Sequence, residues 1–272
     1  MARGYTSTHL SSNRRAVIAS ASVTREKNAI HGFTEIDIAE ARSLIREHRD
    51  KTGERLSFTA YIVACLAKVL RQYPQFNAFI RGNRLIVLDD ITISVLVERE
   101  IKGEKVPEPV GIREAQNKTY RQIHSEIREA QKQTGDVLGG LSGMTWFRFI
   151  PRFLLKAFVR IADKSIRMGM AYGKIGVTAV GMYSKDPIWF IPHGTPTVLL
   201  SVGSIVQRVV EVDGSFVSRE HLCLTASFDH DIIDGAPAAR FMGQLIEDIK
   251  SGYLVRETLD DPPGSTDDPA DV

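Results

Sequence analysis

The chain has 272 residues, 43% of them apolar and 25% charged, which fits a globular body with a real core and excludes collagen-like, coiled-coil and wholly disordered chains. Its 35 basic and 33 acidic side chains leave a net charge of +2, so no nucleic-acid partner is expected, and two cysteines, Cys65 and Cys223, exclude a disulfide scaffold or a cysteine-rich zinc site. The first ten residues lack the apolar core of a secretory signal and no uninterrupted apolar run reaches membrane-spanning length, so a soluble cytoplasmic protein is the expectation.

Residues 1–12 are polar and read as a flexible N-terminus. From Ile36 to about Arg49 the apolar residues Ile38, Ala41, Leu44 and Ile45 recur at helical spacing. Ser57 reads as an N-cap that opens a second helix, Phe58 to about Tyr73, which is apolar on most faces and is stopped by Pro74. Asn77 to Val87 predicts a hairpin turning at Gly82-Asn83, and Ile91 to Val97 alternates as a strand does. A charged amphipathic helix follows over Thr119 to Gln133.

Met144 to Lys174 carries seven bases and one acid among Trp146, Phe147, Phe149, Phe153, Leu154, Leu155 and Phe158. Arg148, Arg152, Lys156, Arg160 and Lys164 recur every four residues, a spacing that draws a basic stripe opposite an aromatic face on a helix. Gly135, Gly139, Gly140 and Gly143, just ahead, read as a hinge. The segment fits a helix docked on its own assembly, a helix lying in a membrane surface, or a site for an acidic or acyl-chain partner. Val177–Met182, Thr197–Val210 and Ser215–Phe228 are β-rich, and Ala236–Lys250 reads as a final helix. The last sixteen residues hold six acids, no bases and three prolines. The expectation is therefore one α/β (α+β) unit over residues 13–255, a mixed sheet flanked by helices, with residues 144–174 as a basic insertion and 256–272 as an acidic disordered tail.

The stretch that carries chemistry is Leu224-Thr-Ala-Ser-Phe-Asp-His-Asp-Ile-Ile-Asp-Gly-Ala-Pro. A strand runs to Phe228, and His230, Asp234 and Gly235 follow with the spacing His-x-x-x-Asp-Gly, with Pro237 just inside the next helix. His230 is thus placed on a strand-to-helix connection, where scaffolds present reactive groups. Without more, the same spacing also describes an Asp234 helix cap beside an ordinary loop histidine. His31, His193 and His221 show no metal-ligand spacing, so no metal is expected. Cys65 and Cys223 read as packing residues.

The neighbouring motifs extend this reading. Asn13-Arg14-Arg15-Ala16-Val17-Ile18-Ala19, Leu56-Ser57-Phe58-Thr59, Pro74-Gln75-Phe76-Asn77-Ala78, Gly176-Val177-Thr178-Ala179-Val180-Gly181-Met182 and Ser227-Phe228-Asp229-His230-Asp231-Ile232-Ile233-Asp234-Gly235-Ala236 are collinear with motifs of one family. In them the chain, from about Asn13 to Gly252, resembles the catalytic domain of the dihydrolipoamide acyltransferases of 2-oxoacid dehydrogenase complexes, which has a chloramphenicol acetyltransferase-like, trimer-forming fold.

The resemblance implies an acyltransferase that moves an acyl group between a thioester, acyl-CoA or acyl-lipoamide, and a thiol or other small acceptor. It gives His230 the role of general base and Thr178 that of oxyanion donor from a neighbouring subunit. It also pairs Asp234 with an N-terminal arginine, Arg14 or next Arg15, and makes Gly235 a structural support where a Cβ is excluded. Coenzyme A is implied as substrate. The roughly dozen residues before Arg14 hold no lipoyl domain, so lipoamide is expected only in trans, from a lipoyl-bearing protein. The acidic tail takes the place of the family's apolar C-terminal plug, which implies a free homotrimer rather than a cage.

Two positions depart from the family. Asp231 stands where a base usually follows the histidine, and Ala179 where an Asn follows the hydroxyl. Asp229 stands where chloramphenicol-type enzymes carry a second histidine, which favours the dehydrogenase branch. The competing expectation is a non-catalytic trimeric scaffold of the same fold that binds a dehydrogenase subunit or a membrane surface through the basic insertion.

Overall fold

A computed structural model describes residues 4–101, 104–132, 150–181 and 184–260. The chain opens with helix α1 (Ser12–Thr24), strand β1 (Ala29–Asp37) and helices α2 (Ala39–Thr52) and α3 (Phe58–Leu70). The small hairpin β2 (Ala78–Arg81) and β3 (Arg84–Val87) follows, then β4 (Ile93–Ile101), β5 (Glu104–Ile112) and α4 (Tyr120–Lys132). Helices α5 (Arg152–Asp163) and α6 (Ile166–Tyr172) lead to β6 (Ile175–Ala179), β7 (Val198–Val212), β8 (Ser215–Asp229), α7 (Gly235–Ser251) and α8 (Tyr253–Asp260).

Six strands form one mixed sheet in the order β1-β8-β7-β6-β4-β5. β8 is antiparallel to both β1 and β7, β7-β6-β4 are parallel, and β5 closes the edge antiparallel to β4. The fold is thus the mixed sheet flanked by helices that the sequence predicts. β2 and β3 turn at Gly82, whose φ of 61° is the left-handed value a two-residue hairpin loop requires.

Helix α3 is the spine of the core. Ten of its residues, from Ala60 to Leu70, are buried, so it is apolar almost all round and is enclosed by α4, α7 and α8. Phe241 of α7 stacks on Phe76 at 4.7 Å between centroids and meets Tyr73 at 5.4 Å and Phe228 at 5.8 Å edge-on. That cluster locks the end of β8 to the start of the helical layer. Ser57 precedes α3 as expected but makes no side-chain cap; its N–H donates to His124 Nδ1 at 3.0 Å instead.

Several boundaries differ from the sequence reading. Ile36 belongs to β1, not to a helix, because it faces the core from the sheet. The structured body continues past residue 255: Arg256–Asp260 complete α8, where Thr258 is buried and bonds the Leu254 carbonyl, so the tail cannot begin at 256. The described part of the basic segment, from residue 150 on, is two helices, since Ser165 accepts from the Met168 N–H and starts α6 anew. Met144 to Phe149, with Arg148 and the aromatic residues there, Gly135, Gly139, Gly140, Gly143, Met182 and residues 261–272 lie outside the described residues.

Candidate active site

His230 occupies a turn whose flanks are both anchored. Phe228 before it and Ile233 after it sink into the core, while His230 and Asp231 between them are exposed, His230 to 42% in its side chain. The turn is tight because the N–H groups of Ile232 and Ile233 both donate to the Asp229 carbonyl, at 3.1 and 2.9 Å. The His230 N–H donates to the Asn28 carbonyl at 2.7 Å, which continues the β1–β8 ladder one residue beyond the strand.

Asp234 is the N-cap position of α7, in extended backbone, yet its carboxylate caps nothing. Instead Oδ1 faces His230 Nδ1 at 3.7 Å, four residues apart. At that separation the carboxylate attracts the ring electrostatically without a direct hydrogen bond. An acid behind Nδ1 favours the tautomer with its proton there and leaves Nε2 as the lone-pair nitrogen.

Two expected supports are absent within one chain. Asp234 is 86% exposed and no arginine pairs with it among the described residues. A carboxylate on an open first helical turn is hydrated and needs no cation. Arg14 is exposed, its N–H donating to Ser11 Oγ, and Arg15 reaches the Ile150 carbonyl. Gly235 is likewise not needed for space or conformation: a Cβ there meets nothing within 4 Å, and its φ is not left-handed.

The acid that does tie the turn down is one the sequence reading gave no role. Asp229 is buried, its Oδ2 lies 3.2 Å from Lys27 Nζ, and its Oδ1 accepts the Asp231 N–H at 3.2 Å. Asp231 is not free to face the imidazole alone, because Asn28 Nδ2 donates to its Oδ1 at 2.9 Å. Lys27 and Asn28 carry no motif. They become partners of this turn only through β1, a strand not predicted from the sequence.

Thr178 is on the inner strand β6, half-buried, in the row Thr178–Ser201–Thr225 across β6, β7 and β8. His230 continues the ladder five rows away. At the usual strand rise and spacing the two Cα atoms are therefore roughly 16 Å apart along the strands and roughly 10 Å across them. The structure does not bring Thr178 to His230 of the same chain. Just beyond Thr178, Gly181 crosses β7 so closely that a Cβ would lie 1.6 Å from the Gly203 carbonyl oxygen.

The cysteines are remote from this chemistry. Both are buried, and burial pushes both thiols up from their ordinary value. His31 bonds Ser227 Oγ at 2.7 Å, and no cluster of three metal-ligating side chains occurs among the described residues.

The family model for the 2-oxoacid dehydrogenases acyltransferase (catalytic domain) matches residues 3–137 and 164–254. The unmatched stretch, 138–163, is narrower than the insertion read from the sequence and contains α5 but not α6. The lipoamide acyltransferase component of the branched-chain alpha-keto acid dehydrogenase complex of Bacillus subtilis is 29% identical over 245 residues, covering 87% of this chain and 50% of that protein. A dihydrolipoyllysine-residue succinyltransferase component from Staphylococcus saprophyticus is 25% identical over 225 residues, covering 80% and 46%. The chain spans about half the length of these curated relatives.

Among solved structures, a probable dihydrolipoamide acetyltransferase from Listeria monocytogenes superposes with a TM-score of 0.66 at 22% identity, covering 91% of this chain and 95% of its own. The dihydrolipoamide acetyltransferase of Azotobacter vinelandii gives 0.67 at 18%, covering 93% and 94%. With its family model matched on both sides of the α5 segment and its His230 turn built on the shared sheet, the chain belongs to the 2-oxoacid dehydrogenase acyltransferase (catalytic domain) family.

Proposed function

We propose that the chain is a thioester-dependent acyltransferase, with acyl-CoA or acyl-lipoamide as donor and a thiol as acceptor, working as a homotrimer. The observation that carries this reading is the exposed His230 on its anchored turn, with the Asp234 carboxylate 3.7 Å from Nδ1. A thiol near its ordinary pKa of about 8.5 is mostly protonated at neutral pH, and only its thiolate attacks well. His230 Nε2 takes the thiol proton as the new C–S bond forms. The tetrahedral oxyanion then collapses, the old C–S bond breaks, and the imidazolium returns its proton to the departing thiol.

The oxyanion requires a prepositioned donor, and the reading gives that role to Thr178 Oγ1 of a neighbouring subunit. The placement of Thr178 and His230 at distant rows of one sheet supports a site shared between chains. The Azotobacter protein supports the assignment too: a serine, a histidine and an asparagine were studied in its catalytic mechanism, spaced 52 and 4 residues apart, the separations of Thr178, His230 and Asp234 here. Exposed apolar residues on β1, β7, β8 and the loop before β7, namely Phe33, Val209, Phe216, Phe190 and Ile191, supply a surface for subunit contact.

The test is CoA release from a panel of acyl-CoAs with dihydrolipoamide. Wild type should turn over, and His230→Ala and Thr178→Ala should fall by factors on the order of a hundred or more. Equal background rates in all three would refute the enzymatic reading.

One observation favours a second role. Helix α5 leaves Phe153, Leu154, Phe158 and Ile161 exposed, and Arg152 and Lys164 at its two ends are exposed as well, the composition of a helix that lies on an anionic membrane surface. Of the expected stripe, Lys156 and Arg160 turn the other way, onto Glu26. No described helix is long and apolar enough to cross a membrane. Flotation with phosphatidylserine-containing liposomes tests this role; a Phe153→Ser/Phe158→Ser variant that floats as well as wild type would discard it.

A further inference from the structure

Three consecutive residues, Glu26-Lys27-Asn28, join α1 to β1 and touch two otherwise separate parts of the molecule. On one side they hold α5. Glu26 lies 2.8 Å from Lys156 Nζ and accepts from both Arg160 and Lys156, and Lys27 Nζ is 3.6 Å from Asp163 Oδ2, the last residue of the helix. On the other side they hold the turn with His230: Lys27 reaches Asp229 at 3.2 Å, the Asn28 carbonyl takes the His230 N–H, and the Asn28 amide takes Asp231.

The centre of this bridge is dry. Lys27 is 18% exposed, Asp163 10%, Asp229 7% and Lys174 5% in their side chains. Lys174 Nζ donates to Asp163 Oδ1 at 2.9 Å and packs 4.5 Å from the Phe79 ring centroid, so Asp163 is held between two ammonium groups. Burial pushes the Lys174 ammonium below its usual range, against the pull of Asp163. Two bases and two acids in a largely buried pocket favour one arrangement, because removing Lys27 leaves Asp229, and removing Asp163 leaves Lys174, without its ion-pair partner. Lys174 also leads directly into β6, and its carbonyl accepts the Thr197 and Val198 N–H groups at the start of β7.

We propose that Lys27 is a positioning residue for His230, and that Asp163 makes α5, the helix outside the family match, part of the support of that turn. The inference rests on the acyl-transfer reading for its kinetic consequence. Lys27 touches no reacting atom. It fixes Asp229, whose carbonyl and carboxylate fold the turn, and so fixes the direction in which the imidazole points. Displacement of such a support by a fraction of an ångström lowers the rate of the chemical step and leaves substrate binding intact.

The test is steady-state acyl transfer from acetyl-CoA to dihydrolipoamide, with the His230 ring C–H resonances followed by NMR. Lys27→Met should lower kcat on the order of tenfold with KM for acetyl-CoA within about twofold, and Lys27→Arg should recover most of the loss. The His230 ring resonances should shift in Lys27→Met and stay at wild-type positions in Lys51→Ala, a distant lysine paired only on the surface of α2. Wild-type kcat with unmoved His230 resonances in Lys27→Met, or equal losses in the Met and Arg variants, would overturn the proposal. Should Lys27→Met not fold, Asp163→Asn takes its place: a kcat lowered about threefold at unchanged KM supports the proposal, and wild-type kcat refutes it. A His230→Ala enzyme as fast as wild type would sink the acyl-transfer reading instead, and the NMR shift would still decide whether Lys27 positions the ring.

Discussion

Mixing two inactive variants separates a shared site from a self-contained one. His230→Ala chains keep Thr178, and Thr178→Ala chains keep His230. Loss of the base costs a factor of about 10²–10⁴, and loss of the oxyanion donor roughly 3–4 kcal/mol, so each variant alone should show at most about 1% of wild-type turnover. The registers put Thr178 and His230 five rows and two strands apart, roughly 19 Å between Cα atoms at ordinary strand spacings, too far for both to bond one thioester within a chain. If each site takes its histidine from one subunit and its hydroxyl from the next, an equal mixture of chains makes a competent site whenever a His-bearing chain precedes a Thr-bearing one. Random assembly gives that order at one half times one half of the sites, about a quarter of wild-type activity.

The assay is co-refolding of the two variants at ratios from 1:9 to 9:1, with mixed assemblies verified by mass and CoA release measured per chain. Activity should peak at the equal mixture near a quarter of wild type and fall symmetrically on either side. Verified mixed trimers with no more activity than the sum of the two variants would refute the shared site, and with it the role given to Thr178.

Other outcomes are expected of the fold that carries the site. Phe241→Ala removes a fully buried ring that meets Phe76, Tyr73 and Phe228, and should cost about 3–5 kcal/mol in urea unfolding; a loss below about 1 kcal/mol would show the cluster to be incidental. Gly181→Ala drives a Cβ into the Gly203 backbone, which no rotamer relieves, so it should destabilise by at least 1–3 kcal/mol and reduce activity by displacing the strand after Thr178; wild-type stability would refute the close crossing. The Arg160 guanidinium first, and Lys156 after it, hold the Glu26 carboxyl down at about 2 against an ordinary 4.5. Because the folded value is the lower one, this tether of α5 is present above about pH 4.5 and is lost as pH falls toward 2. Amide exchange in α5, corrected for intrinsic rates, should therefore stay constant from pH 7 to 5 and rise below about 4; a rise already between 7 and 5 would assign the docking to other groups.

Much of the sheet and the site was legible where local pattern and global position agree. The Gly82-Asn83 hairpin, the core helix α3 and the β-rich runs of β6, β7 and β8 announce themselves by turn residues and apolar period. β5 does not, because Pro107 and Pro109 break its pattern; the strand tolerates them as the outermost of the sheet, with one side of its ladder unpaired. β1 is masked by the helical spacing that runs into Ile36, and its loss from the reading hid Lys27 and Asn28, whose partners are about 200 residues away. For the same reason the clamp on the histidine turn was assigned to Asp234, which has the motif, when Asp229 has the buried partner. Spacing shows which residues sit near a helix start. It does not show which of two acids faces inward, because that is decided by the chain packed on the other side.

On the proposed reading, the sheet gives a reason for one chain to carry two half-sites. His230 is placed just past the end of β8, and Thr178 one residue before the end of β6, five rows away, so the proposed pairing of the two needs a second copy of the sheet. Such a division makes the geometry of each half a property of its own chain, set before assembly. For the His230 half, that geometry depends on a buried charge cluster to which α5 contributes Asp163. α5 lies outside the matched stretches of the family model, yet its last residue is two ion pairs from the His230 turn: Asp163 to Lys27, and Lys27 to Asp229. A ligand that pulls on the exposed apolar face of α5 would change the free energy of that cluster directly. Coupling between the added helix and the histidine therefore requires no long pathway, only a cluster with one dry arrangement and a binding event that favours or disfavours it.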